Sequence, residues 1–133
     1  MDKYQIITQL ESIVLQWDDT NVRTGDFDAK TFLFLGEEFG HIHQNGDLDI
    51  AFTEQVKAEL LKKDLVQKHR YVPNTSITYH LSSERQLSFA VHLLRFSYLV
   101  HMVKMEYERT GVRNISEEEL AALPESLSSI YWK

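Results

Sequence analysis

Apolar and polar positions along this chain fall into blocks whose period switches between helical and strand-like. In the first block Ile6, Ile7, Leu10, Ile13, Val14 and Trp17 recur at helical spacing. That pattern predicts an amphipathic helix over 3–17, with Asp2 as its cap. Asp18-Asp19-Thr20-Asn21 is a run of turn formers that ends it. Residues 22–28 carry no clear period, and Gly25 with Asp26 marks a turn. The run over 30–35, bounded by Gly36, is short, apolar and rich in phenylalanine, which predicts a strand buried on both faces. Segments 37–44 and 47–52 then flank Asn45-Gly46, the strongest hairpin signal in the chain.

Thr53 opens a helix over 54–63 whose apolar stripe is Val56, Leu60 and Leu61. Lys62-Lys63 closes it with charge that suits a helix C-terminus. A loop through His69, Arg70, Tyr71, Val72 and Pro73 follows, and 77–81 alternates as a further strand. Ser83 and Gln86 match a capping box, so a long helix is expected from there to about 108, ended by Thr110-Gly111. It is apolar around most of its circumference, as the central packing element of a small domain is. Ser116 with Glu119 is a second capping box, opening a short C-terminal helix interrupted by Pro124. Ile130-Tyr131-Trp132 is expected to pack back on the domain or on a partner. The fold class is therefore α+β: a small, mainly antiparallel sheet with a central hairpin, packed by helices in the order α-β-β-β-α-β-α, plus the short C-terminal helix. One domain over 1–133 is expected.

Composition narrows the function classes. The chain is 43% hydrophobic and 26% charged, which is ordinary for a packed core. A net charge of −6 with no Lys/Arg run argues against a nucleic-acid partner. Without cysteine there is no disulfide, thiolate nucleophile or cysteine zinc site. The first residues do not read as a signal peptide. No apolar stretch has the length of a membrane span, so a cytoplasmic location is expected. Neither a glycine-rich phosphate loop nor a Gly-x-Ser-x-Gly element occurs.

Chemistry concentrates in the hairpin. Alternate side chains of a strand point to opposite faces, so turn length decides which residues share a face. A two-residue Asn45-Gly46 turn would set His43 opposite Leu48 and His41 opposite Ile50. A three-residue Gln44-Asn45-Gly46 loop would set His43 opposite Asp47, His41 opposite Asp49 and Ile42 opposite Leu48. The second register is preferred, because it keeps the imidazoles out of the apolar face. It gives a core face and a second face carrying Glu37, Phe39, His41, His43, Asp47 and Asp49. Thr78 and His80 join that face if the last strand is in phase. The first strand would lend it Leu33 and Leu35, or Phe32 and Phe34. Polar groups between apolar walls make it a pocket candidate.

The segment EFGHIHQNGDLDI resembles the hairpin motif of the luciferase-like domain family, which contains the fungal luciferases and many bacterial proteins. The resemblance falls on Glu38, Phe39, Gly40, His41, Ile42, His43, Gly46, Leu48 and Ile50. HRYVP and LLRFSYL extend it, placing His69, Arg95, Ser97 and Tyr98, so that it runs from about Phe32 to Tyr98. Fungal luciferases oxidise a hydroxylated pyrone with molecular oxygen, and the family pattern implies neither flavin nor metal. This chain is smaller and lacks their N-terminal membrane-anchoring segment, so the resemblance implies a shared fold and pocket rather than light emission.

The expectation is thus a domain binding a small planar or aromatic molecule in a histidine-lined pocket, with cofactor-independent oxidation or proton abstraction as the reaction class. His41 or His43 would be the base and Asp49 its orienter. His69, Tyr71, His80 and Arg95 would contact substrate. No cofactor is expected. The rival is a divalent metal on His41 and His43, with His69, His80 or Asp49 as third ligand. The bland readings are histidines bonded to aspartates across a strand, solvated helix histidines at His92 and His101, and an ion-paired or snorkelling Arg95. In another class altogether, the chain would be a non-catalytic interaction module or homodimer, using its long helix and aromatic tail.

Overall fold

The computed structural model describes residues 2–25, 28–69, 76–111, 119 and 121–131. Helix α1 (Lys3–Val14) starts on a capping box, in which the Asp2 carboxylate accepts from the Gln5 amide at 2.9 Å. It buries Ile6, Leu10 and Val14, every fourth residue on one face. Strands β1 (Thr20–Thr24), β2 (Lys30–Phe34), β3 (Glu37–Ile42) and β4 (Asp47–Ala51) follow as an antiparallel meander. Helix α2 (Glu54–Lys62) is capped by Thr53. Strand β5 (Gln67–Lys68) and strand β6 (Ser76–His80) complete the sheet in the order β1-β2-β3-β4-β6-β5. Ser83 and Gln86 form the expected capping box, and a single 3₁₀ turn leads into α3 (Leu87–Thr110). Gly111, at φ 77°, terminates α3 in the left-handed conformation that glycine adopts without strain. Helix α4 (Glu125–Tyr131) closes the described chain.

The expected α+β architecture is present, with two strands beyond those read from the sequence. Strand β1 lies in the segment 18–24 that reads as turn formers and unperiodic residues, and β5 is two residues long. Both are edge strands with polar, largely exposed side chains, so neither carries an apolar alternation. The first helix also stops at Val14, three residues short of the expected 17. The second capping serine, Ser116, and Trp132 of the tail lie outside the described residues. Leu123, Leu127 and Ile130, from the C-terminal part, belong to the core.

Helices α1 and α3 lie on one face of the sheet, and the core forms between. Phe32, Ile42, Leu48, Ile50 and Ile77 point into it from the strands, and Leu93, Leu94, Phe96 and Tyr98 from α3. Among the described residues no helix is long and apolar enough to cross a membrane.

A bulge in β3 shapes the rest. Phe32 pairs with Gly40 but Leu33 pairs with Glu38, so Phe39 is an extra residue in the ladder. Its ring therefore turns into the core against Trp17, Phe32 and Tyr98, at centroid distances of 6.3, 6.3 and 5.7 Å. This corrects the expectation that Phe39 would share the histidine face. Strict alternation placed it there, and the bulge breaks alternation. Two groups on α3 hold the bulge. Ser97 Oγ donates to the Phe39 carbonyl at 2.7 Å, and Leu94 packs so close over Gly40 that a Cβ there would meet Leu94 Cδ2 at 2.7 Å.

Candidate functional site

The hairpin adopts the second of the two registers: His41 pairs with Asp49 and Ile42 with Leu48. His43 N–H donates to the Asp47 carbonyl and Gly46 N–H to the His43 carbonyl, both at 3.0 Å, which closes a three-residue loop. Gly46 sits at φ 98° and its carbonyl accepts from Leu81 N–H, and a Cβ at this position would collide with the Leu81 carbonyl. Strand β6 is in phase, pairing Thr78 with Asp49 and His80 with Asp47. From β2, Thr31 pairs with His41, so Thr31 and the buried Leu33 share this face while Phe32 and Phe34 enter the core. The face away from α1 and α3 thus gathers four of the six histidines: His41, His43, His69 and His80.

Asp49 is the centre of the group and is only 4% exposed. Three imidazoles aim their Nε2 atoms at its Oδ2: His43 at 2.8 Å, His69 at 3.2 Å and His41 at 3.3 Å. Thr78 Oγ1 donates to the other oxygen, Oδ1, at 2.6 Å. Behind His41, Nδ1 meets Glu38 Oε2 at 3.0 Å. In an unbroken strand residues three apart face opposite ways. The bulge at Phe39 is what returns Glu38 to the histidine face. The His41 and His43 rings meet edge to face at 5.0 Å. Beside this group His80 Nδ1 bonds Asp47 Oδ1 at 2.7 Å, as a separate pair.

The electrostatics follow from this geometry. His41 has an acceptor-only carboxylate at each ring nitrogen, and both can be satisfied only when both nitrogens carry protons. The hydrogen bonds to Asp49 and Glu38 outweigh burial and raise the His41 pKa to about 9. Burial pushes Asp49 upward. Hydrogen bonds from His41, Thr78 and His43, with the nearby His69 charge, more than offset it and hold the carboxyl at about 2. The bond from His41 lowers Glu38 as well.

Of the residues singled out in the sequence, His41, His43, Asp49 and His69 come together, and His80 lies next to them. Tyr71 lies outside the described residues. Arg95 is on α3, in the helix layer. Its guanidinium stacks over the Trp17 and Tyr98 rings at 5.0 and 4.8 Å and reaches Glu119 at 3.4 Å. His101 Nδ1 lies 2.9 Å from the Ser97 carbonyl on the same helix. Glu38 and Thr78 were not picked out as site residues. Glu38 was hidden by the bulge, while Thr78 was legible from the alternation of β6.

A cleft of about 560 Å³ opens where the hairpin turn meets the N-terminal part of α1. Tyr4 and Ile7 supply apolar wall, Lys3 and Lys30 supply cations, and Glu11 and Asp28 supply anions. His43 and Gln44 form the side next to the turn, so the His43 residue belongs to both the cleft and the cluster.

Neither the curated proteins nor the solved structures give a match to this chain. One family does match: residues 36–97, from the glycine before β3 to the serine that ties down the bulge, fit the luciferase domain family. Over that stretch, somewhat under half of its length, the chain is similar to the luciferase domain family.

Proposed function

We propose that this domain binds a small planar molecule bearing an acidic hydroxyl at the end of the β3–β4 hairpin, and that proton abstraction or oxidation of that molecule is its chemistry. One observation carries the reading: His43 lines a ligand-sized cleft while its Nε2 sits 2.8 Å from Asp49 inside the histidine cluster. About 560 Å³ lies within the range of small-molecule sites. Tyr4 and Ile7 suit the face of a flat ring, and Lys3 or Lys30 suits a ring oxygen that has lost its proton. The family resemblance supports an oxidisable, hydroxylated ring as the ligand class. His43, at the end of the hairpin, is the residue that joins the cleft beside α1 to the cluster on the other face of the sheet.

Calorimetric titration with 4-hydroxy-6-methyl-2-pyrone tests this. Saturable one-to-one binding is expected, weakened about tenfold or more by His43→Ala and by Lys30→Ala. Absence of saturable heat, or binding unchanged in both variants, overturns it.

A further inference from the structure

We infer that His41 Nε2, His43 Nε2 and Asp49 Oδ2 bind one divalent first-row transition-metal ion. The inference rests on the reading above only in taking this cluster as the working end of the site.

Hydrogen bonding alone leaves the arrangement over-subscribed. A carboxylate oxygen offers about two lone-pair sites, yet three ring nitrogens lie 2.8–3.3 Å from Asp49 Oδ2. Each neutral imidazole has one bare nitrogen. With Glu38 at Nδ1 and Asp49 at Nε2, His41 needs a cation between its Nε2 and the Asp49 carboxylate, a proton in the metal-free chain or a metal ion in the proton's place.

The distances fit one. An ion roughly 2.1 Å from Asp49 Oδ2 and from the Nε2 of His43 or His41, which lie 2.8 and 3.3 Å from that oxygen, sees each such pair at about 80–105°, between octahedral and tetrahedral angles. The ligand atoms of His41, His43 and Asp49 all lie within 4.8 Å of one another. The outer groups fit as well. Metal-bound histidines donate their far N–H to a carboxylate and metal-bound carboxylates are themselves hydrogen-bonded. Here Glu38 holds His41 Nδ1 at 3.0 Å and Thr78 holds Asp49 Oδ1 at 2.6 Å. Imidazole and carboxylate donors suit zinc- or iron-like ions over magnesium or calcium. Such a set leaves coordination positions open toward a ligand hydroxyl.

The test uses the whole chain stripped with EDTA and titrated with Zn²⁺. One ion per chain is expected. His43→Ala and Asp49→Asn should each lower affinity at least about 100-fold, and Glu38→Gln about 10–100-fold. His92→Ala, on the helix layer, should leave it unchanged. No saturation below about 1 mM, or binding that ignores all three cluster variants, overturns the site. Should those variants fail to fold, zinc-edge X-ray absorption on the wild type decides. A shell containing two imidazole nitrogens near 2.0–2.1 Å supports the site, and an all-oxygen shell overturns it. Adding the hydroxypyrone to stripped and zinc-loaded protein separates the two proposals. Zinc bound without pyrone removes the ligand reading alone, and pyrone bound without zinc removes the ion alone.

Discussion

Asp49 shows how a single side chain can set the character of a surface. It is almost fully buried, and its charge is retained because four donors surround it. The resulting pH dependence has a definite sign. His41, raised from 6.5 to about 9, stabilises the fold fully below pH 6.5 and loses that contribution as pH rises through 9. Asp49, lowered from 3.8 to about 2, contributes above pH 3.8 and loses its share as pH falls through 2. The metal-free chain should therefore have its highest Tm between about pH 4 and 6.5 and a falling Tm toward pH 9. Thermal unfolding in EDTA across that range checks this, and a Tm level from pH 6 to 9.5 would count against the His41 contacts. At Gly40 the limit is space. Gly40→Ala puts a methyl 2.7 Å from Leu94 Cδ2, and a loss of about 1–3 kcal/mol in urea unfolding is expected.

The β2–β3 and β3–β4 hairpins carry most of the specification at the level of elements. Leu35 and Gly36 connect β2 to β3 with φ of 49° and 86°, the left-handed pair that a two-residue turn requires. Leu35 is 59% exposed and meets that requirement against its own preference. Leu35→Asn should raise stability by about 0.5–1 kcal/mol, read as an increased urea midpoint. In the next hairpin the partition of Ile42, Leu48 and Ile50 from His41, His43 and Asp49 makes the register legible in the sequence, because only one register keeps imidazoles off the core face. The same alternation failed at Phe39. A bulge is created by long-range packing, here Ser97 and Leu94 on α3, and leaves no mark in the local period. Ser97→Ala strands the buried Phe39 carbonyl and should cost about 1–3 kcal/mol. If the bulge relaxes with it, Glu38 also leaves His41, and the raised His41 pKa should fall in the same variant.

On the scale of the whole molecule, the sheet divides labour between its faces. The helix-covered face supplies the core, and Arg95 belongs to it, stacked on Trp17 and Tyr98. The other face gathers residues from β3, β4, β6 and the segment after β5, with His41 and Thr78, the extremes of the Asp49 contacts, 37 positions apart in the chain. A sequence reading could place His41, His43 and Asp49 together, since one hairpin holds them all. His69 could be linked to them only through the family resemblance, because the approach of its ring to Asp49 depends on how β5 pairs with β6. Imidazole ¹H–¹⁵N spectra of the wild-type chain, with hydroxypyrone and Zn²⁺ added in turn, test the central claim that this gathering is the working site. Nitrogen shifts confined to His41, His43 and His69 are the predicted result. Shifts centred on His92 and His101, with those three unmoved, would contradict it.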